Sequence, residues 1–375
     1  MLRERANPRW HALVGSDDSP VTRKDDPPVP TDKDESLLGV SYVMPVLNEV
    51  SHVRAAVESL LEQDYDGPFE VTLALGPSID GTTELVSEMA AIDQRIRVVP
   101  NEIGSTPAGL NIAIRASRYP IVIRVDAHSV LPADYARVAV ETMQRTGAAN
   151  VGGIMDAQGT TPFEKAVARA YTTRVGLGGS PFHVGGHEGP ADTVYLGCFR
   201  RESIMAVGLF DETIKRGQDW ELNRRLRESG EKVWFTPRLK VTYRPRATLA
   251  RLARQMLSTG LWRGELARRF PGASGIRYFI PPAMVLGVAV GLIAGIIGVV
   301  QAATGHAPWF LVGLAIPAVY LVFVIVATIA VTRHTDTRTA LWFLVVLPCI
   351  HFCWGIGFLL GFFKLTSNIT AHTGR

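Results

Sequence analysis

The chain has 375 residues, 47% of them hydrophobic and 20% charged, enough for one large soluble domain plus a more apolar part. A formal charge of only +4 supplies little attraction for nucleic acid, and no nucleic-acid partner is expected. Cys198, Cys349 and Cys353 have neither metal-ligand spacing nor a disulfide framework, which fits a reducing cytoplasm for the soluble part.

Residues 1–36 lack the apolar core of a cleavable signal and are rich in Pro, Asp and Lys, so a disordered tail is expected there. Ordered sequence starts near Leu37 with a strand over 39–44, followed by Pro45-Val46-Leu47-Asn48-Glu49. Val53, Ala56, Val57, Leu60 and Leu61 then recur at helical spacing. A strand over 69–75 leads through Gly76-Pro77-Ser78-Ile79-Asp80-Gly81-Thr82 into a helix to about residue 91. A strand over 96–99 runs into a polar segment from Asn101 and a helix holding Asn111. Strands alternating with helical stretches predict right-handed crossovers and a Rossmann-like, mostly parallel sheet with helices on both faces. The polar loops gather at the carboxyl ends of these strands, where such sheets bind nucleotides.

The fourth strand carries the chemistry. Ile121-Val122-Ile123-Arg124-Val125-Asp126-Ala127-His128 is a buried apolar run ending in a carboxylate and an imidazole. On an extended chain, residues two apart point the same way, so Asp126 and His128 can share one divalent ion, which suits a diphosphate leaving group. A polar turn with Asp126 as an incidental cap fits the tripeptide equally.

Residues 176–192 form a glycine-rich loop with His183, His187 and Glu188, read as an acceptor-side or lid segment. From Arg244 to Arg277 there are eight arginines and one acid, Glu265, with Leu249, Leu252, Ala253, Met256 and Leu257 at helical spacing. That describes a basic amphipathic helix lying on the anionic cytoplasmic face of a membrane. Three apolar segments follow at 279–300, 309–331 and 341–363, each near the roughly 20 residues that span a bilayer. Gly287, Gly291 and Gly295, and again Gly357 and Gly361, form small-residue stripes that let helices approach closely. The connection at 301–308 has no Lys or Arg whereas the next has Arg333 and Arg338, placing the enzyme domain in the cytoplasm. Three crossings then leave the tail from Lys364 outside. Cys349, His351 and Cys353 are two apart on a helix, point to different sides, and carry no metal reading. The expected organisation is a tail at 1–36, an α/β domain at 37–245, an interfacial segment at 246–277, three membrane helices within 278–364 and a tail at 365–375.

Six motifs in order, Pro45-Val46-Leu47-Asn48-Glu49, Asp80-Gly81-Thr82, the segment from Asn101 to Asn111, Asp126-Ala127-His128, Gly208-Leu209-Phe210-Asp211-Glu212 and Gln218-Asp219-Trp220-Glu221-Leu222, resemble family 2 glycosyltransferases of GT-A fold. The Asp-Ala-His form, with Tyr243-Arg244-Pro245-Arg246, Arg254-Gln255 and Leu261-Trp262-Arg263, is similar to membrane-attached bacterial exopolysaccharide enzymes of the succinoglycan glucosyltransferase type.

The resemblance implies a hexosyltransferase that inverts the sugar and uses a nucleotide-diphosphate sugar, expected to be a UDP-sugar, a divalent cation (Mn or Mg) and a lipid-linked acceptor at the inner membrane. By resemblance Asp126 and His128 hold the metal, Asp219 is the base, and Pro45, Glu49, Asp80, Asn111 and Asp126 bind the nucleotide sugar. Neutral imidazole in place of a second carboxylate favours Mn over Mg. Gln218 stands where the family usually has Glu, removing a charge beside the base. Gln218, Arg254, Gln255, Trp262 and Arg263 fall where related membrane synthases grip diphosphate or acceptor, although their spacing departs from the compact family motif. Leu75-Gly76 replaces an upstream Asp-Asp pair, so uridine specificity is weaker than the fold implies. Asp80 fits a helix cap, Asp219 a helix N-cap and Glu49 a solvated helix-start acid as well as these roles. Three helices look too few for a polymer channel, which favours single addition over processive synthesis. The alternatives are a polyprenyl-phosphate sugar synthase, which needs no strong base, and a non-catalytic membrane scaffold.

Overall fold

The computed structural model describes residues 37–366 and Ile369, so the tail expected at 1–36 and most of 365–375 lie outside the described residues. These residues divide into two compact units, one made of residues up to 155 together with 186–242, the other of 156–185 together with 243 onward. The segment 156–185, expected as part of the α/β domain, therefore belongs with the apolar C-terminal part.

The first unit is built on a sheet of order β3-β2-β1-β4-β7-β5-β8-β6. Its strands are β1 (Val40–Val46), β2 (Phe69–Leu75), β3 (Ile96–Pro100), β4 (Ile121–Arg124), β5 (Asn150–Ala157), β6 (Gly189–Pro190), β7 (Tyr195–Arg200) and β8 (Val233–Tyr243). β1 pairs in parallel with β2 and with β4, Val43 lying opposite Arg124, and β3 extends the parallel half. Beyond β4 the sheet turns antiparallel: Ile123 faces Cys198 of β7, which also pairs with β5. The alternation rule fails there because β7 is reached by a long excursion and not by one helical crossover.

Helices cover both faces. These are α1 (Val53–Leu61), α2 (Thr82–Ile92), α3 (Thr106–Ala116), α4 (Tyr135–Thr146), α7 (Arg201–Ala206) and α8 (Gln218–Glu228), numbered together with α5 (Pro162–Tyr171) and α6 (Pro181–Val184) of the other unit. Alternation along β1 explains the two cores. Tyr42 and Met44 pack with Val53, Leu60, Val86 and Tyr135 on one side; Val43 packs with Leu110, Ile114, Ile204 and Leu222 on the other. Each fully buried aliphatic side chain contributes roughly 1.5–3 kcal/mol, so β1 is held from both faces.

The second unit holds α5, begun by a capping box between Thr161 and Glu164, the short α6, and α9 (Leu249–Arg269), capped by Thr248. It ends in α10 (Ile280–Ala303), α11 (Ala315–Thr332) and α12 (Thr337–Phe362). With the 3-10 turns that lead into the first two, these give three helices long and apolar enough to cross a membrane, Ile276–Ala303, Trp309–Thr332 and Thr337–Phe362. The stripe Gly287, Gly291, Gly295 faces residues 313–317, as expected of helix contacts. The other stripe does not meet a second span. Gly357 and Gly361 of α12 press on the backbone of α9, where an added Cβ would lie 2.1 Å from the Leu257 carbonyl oxygen and 2.0 Å from that of Leu261. Gly260 and Gly264 answer from α9, so the basic helix is one half of a backbone-to-backbone seam.

Candidate functional site

β4 ends at Arg124, and Asp126 and His128 follow it in a turn closed by the Ser129 N–H donating to the Asp126 carbonyl at 2.8 Å. The extended geometry that would align residues 126 and 128 is absent. The aligned pair is instead Arg124 and Asp126. Arg124, 7% exposed, donates through one guanidinium nitrogen to Asp126 Oδ1 at 3.0 Å and through the other to Asp219 Oδ1. Burial works against its charge, but Asp219 and Asp126 more than offset that and raise its pKa above the arginine value. Its Nε is buried with no partner among the described residues.

Asp219 lies in the first turn of α8, after Gly217 at φ 80°, a conformation glycine adopts without strain. The helix shows no side-chain cap, so the carboxylate is turned to Arg124; its side chain is 39% exposed and one edge faces solvent. Gln218 beside it is buried.

On the β1 side, Asn48 stands at φ 54°, a left-handed conformation that suits asparagine. Its N–H donates to Ser78 Oγ at 3.0 Å and its Oδ1 accepts from the Ile79 N–H at 2.9 Å. Next in line, the Glu49 N–H donates to Thr82 Oγ1 and the Val50 N–H to Asp80 Oδ2. Asp80 Oδ1 accepts from the Thr82 N–H and hydroxyl. Burial opposes ionisation of Asp80, yet the bonds from Thr82 and Val50 hold its pKa below the usual carboxylate value. Asp80 thus fastens two loops, while the N-cap of α2 is Gly81, with no side-chain cap. Pro45 stands within β1, half-buried. Glu49 reaches between His128 Nδ1 and His52 Nδ1, each 3.3 Å from one of its oxygens.

Asn111 is buried, and its amide locks a distant motif: Nδ2 donates to the Phe210 carbonyl and to Glu212 Oε1, and Oδ1 accepts from the Phe210 N–H, each at 2.9 Å. Both its N–H donors are used within the protein, so its place in this state is to hold the 208–212 loop.

Arg254, Gln255, Trp262 and Arg263 belong to the second unit. Gln255 is buried, accepting from the Tyr171 hydroxyl and donating to that of Tyr243 at 3.0 Å. Trp262 is 1% exposed and is a packing residue here, with no ring face open to a sugar. Arg254 is exposed, and the Arg263 guanidinium carbon lies 4.2 Å from the Tyr278 ring centroid. In the 176–192 loop, Glu188 is fastened by Arg145, the Trp234 indole and the Thr236 hydroxyl. Among the described residues no three His, Cys, Asp or Glu side chains gather as a metal site. Asp126 is bonded to Arg124 and His128 to Glu49, so a cation taken by both would draw the rest of its ligands from substrate phosphates.

A family model described as glycosyl transferase family 2 matches residues 41–208. The succinoglycan biosynthesis protein ExoA of Rhizobium meliloti (strain 1021) is 33% identical over 257 residues, 68% of this chain and 78% of that protein. This chain belongs to glycosyltransferase family 2. A Methanococcus voltae relative of this glycosyltransferase, named as a dolichyl N-acetyl-alpha-D-glucosaminyl phosphate 3-beta-D-2,3-diacetamido-2,3-dideoxy-beta-D-glucuronosyltransferase, is 26% identical over 239 residues, 61% of this chain and 74% of that protein. The same fold appears in the mannosyltransferase PcManGT from Pyrobaculum calidifontis, solved with GDP-Man and Mn2+: TM-score 0.52, 19% identity, 85% of this chain and 89% of that one. The GT-A architecture expected of the glycosyltransferase is therefore present.

Sequence reasoning did not assign Arg124 or His52. The signal for Arg124 was a charge inside an apolar strand, since a buried arginine must be paired.

Proposed function

We propose that this glycosyltransferase moves one sugar, with inversion, from a nucleotide-diphosphate sugar to a lipid-linked acceptor at the cytoplasmic leaflet of the inner membrane. The observation that carries the reading is that Asp126 and Asp219, distant in sequence, share one guanidinium. A base and a leaving-group site must lie within one crevice, and that sharing supports it. The Methanococcus voltae relative is named for a dolichyl-linked sugar phosphate acceptor, which supports a lipid carrier.

Asp219 takes the proton of the acceptor hydroxyl as that oxygen attacks the anomeric carbon on the face opposite the diphosphate. The bond from the anomeric carbon to the diphosphate oxygen breaks and its electron pair leaves with the diphosphate. Arg124 keeps the Asp219 carboxylate oriented while its other edge stays open. A divalent cation held by Asp126 and His128, with diphosphate oxygens, would supply charge neutralisation on the leaving group. Pro45 and Glu49 line the nucleoside side, with Asp80 and Asn111 holding the loops around it. Arg254 offers an exposed charge to a lipid phosphate, while Gln255, Trp262 and Arg263 shape the helix that presents it.

The test is a panel of UDP- and GDP-sugars with membrane lipid extract as acceptor, read as released nucleoside diphosphate. Asp219→Asn should lower turnover by about 10²–10⁴-fold with donor binding by calorimetry nearly unchanged. Near-normal turnover would refute the base role, and absence of donor binding in the parent chain would leave only a scaffold.

A further inference from the structure

The helix that carries Asp219 is held on two faces. Residues four apart share a helix face, so Asp219 and Asn223 of α8 point one way while Glu221 and Arg225 point another. On the second face, Arg225 donates through Nε to Glu221 Oε1 at 2.8 Å and through Nη2 to Glu221 Oε2 at 2.8 Å. The same guanidinium donates to the Leu209 carbonyl at 2.6 Å and to the Val207 carbonyl. Leu209 stands at φ 64°, a conformation that a leucine keeps only where its surroundings fix it. That face is therefore tied to the loop before the helix, and not to the sheet.

The first face is tied to the sheet. Asn223, 1% exposed, accepts at Oδ1 from Asn150 Nδ2 at 2.6 Å and donates through Nδ2 to Thr193 Oγ1 at 2.9 Å. Asn150 opens β5, and Phe199 of β7 lies opposite both it and Val122 of β4. Asn150 is thus level with Val122, two residues before Arg124. Two residues of strand cover about 6.6 Å and four of helix about 6 Å, so one bond to Arg124 and one to Asn150 fit a single register of α8 on the sheet. Space for the second bond is left by Gly197, where an added Cβ would lie 2.4 Å from Asn150 Oδ1. Leu222 and Leu226 pack the same helix with Phe199 and Phe235, but apolar contact tolerates sliding that paired amides do not.

We propose that Asn223 is a positioning residue for the transfer: its carboxamide sets the roll and register of α8 and thereby the place of the Asp219 carboxylate beside Arg124. Asn223 is buried and acts through Asp219 alone. The carboxylate stands about 5 Å from the helix axis, so a roll of about 10° moves it by about 1 Å. A displacement of that size costs on the order of 10²-fold in rate when the group must meet an attacking hydroxyl. The proposal rests on the base reading of Asp219.

The test uses the full chain, the UDP- or GDP-sugar that the parent turns over fastest, and membrane lipid extract as acceptor, with released nucleoside diphosphate as the readout. Asn223→Leu should lower kcat about 10²-fold while donor KM stays within about threefold. Asn223→Asp should return to within about tenfold of the parent, because it keeps both bonds in either state. Ionised, it accepts from Asn150 and from the Thr193 hydroxyl; protonated, it accepts from the first and donates to the second. In the Asp219→Asn background, Asn223→Leu should cost less than about threefold further, since a base already absent cannot be misplaced. Melting temperature and calorimetric donor binding separate these effects from unfolding. Should Asn223→Leu not fold, Thr193→Val removes one of the two bonds and is read in its place, with a loss of about tenfold expected. Normal kcat in the variant read, or a loss that multiplies with that of Asp219→Asn, would overturn the proposal. Near-normal turnover of Asp219→Asn alone, or none in the parent, would instead sink the base reading and the proposal with it. The two failures are told apart by which single variant keeps its rate.

Discussion

Arg124 stands between Asp126 and Asp219 and donates to both. Two carboxylates brought to one crevice repel unless a cation lies between them, and the buried guanidinium provides it from the end of β4. Arg124→Met should lower kcat/KM by about 10²-fold or more, the scale of losing one preorganised electrostatic contact. Arg124→Lys should recover only part, because an ammonium keeps the charge and loses the two-pronged geometry. Steady-state kinetics beside a thermal unfolding scan would separate this from misfolding. An Arg124→Met enzyme of normal activity would remove the guanidinium from the site's machinery.

Asn111 makes three hydrogen bonds to the 208–212 loop from a fully buried position. Asn111→Ala should cost about 1–3 kcal/mol of stability, since the Phe210 N–H and carbonyl lose their partner. Donor affinity of the folded fraction should change little. A large loss of donor affinity at unchanged melting temperature would instead make the amide a ligand contact.

Asp126 and His128 present one carboxylate and one imidazole beyond β4. Rates at saturating Mn should exceed those at saturating Mg, and His128→Asp should shift the preference toward Mg. Equal rates in the parent enzyme would contradict the assignment of the imidazole.

His183, tilted against Phe182 and edge-on to Tyr171, has its pKa pushed down to about 3, first by burial and then by Arg277. An unfolded histidine titrates near 6.5, so below that pH the unfolded chain binds a proton that the folded one refuses. Stability should therefore fall as pH drops from about 6.5 toward 3, and be unaffected by this group above 7. Melting temperature against pH should be flatter for His183→Phe than for the parent. Parallel curves would assign the acid sensitivity elsewhere.

Gly357 faces the backbone of α9, where a Cβ would come within 2.1 Å of the Leu257 carbonyl oxygen. Because backbone cannot rotate aside, Gly357→Ala should separate α9 from α12 and cost about 1–3 kcal/mol. Gly305→Ala is the contrast: nothing lies within 4 Å, and only its φ of 77° resists. Melting temperatures of the two variants in detergent should differ in cause: only Gly357→Ala should also loosen protease protection of α9.

The parts of the molecule visible from sequence were those set by local periodicity. β2 was expected over the residues it occupies, and the apolar helices within a few residues of their ends. That Asp126 and Asp219 belong together was implied by the family resemblance, and both bond Arg124. What stayed hidden depended on partners far away in the chain. Arg124 read as part of a strand, and only its two carboxylates explain its burial. Asn111 carried a nucleotide role only by resemblance, and its bonds to Phe210 and Glu212 were hidden because that loop lies about a hundred residues on. The antiparallel half of the sheet was invisible because β5 and β7 adjoin through long-range pairing.

The bonds that fasten residues 48–50 to residues 78–82 have a consequence for donor choice. With Asn48, Glu49 and Val50 each tied to the segment after β2, the loops beyond β1 and β2 form a single stiff hoop, which the proposed function puts around the nucleoside. Changing which base it admits is then a matter of altering the few side chains that project inward from that hoop, because any replacement of Asn48, Asp80 or Thr82 would deform the opening for every base at once.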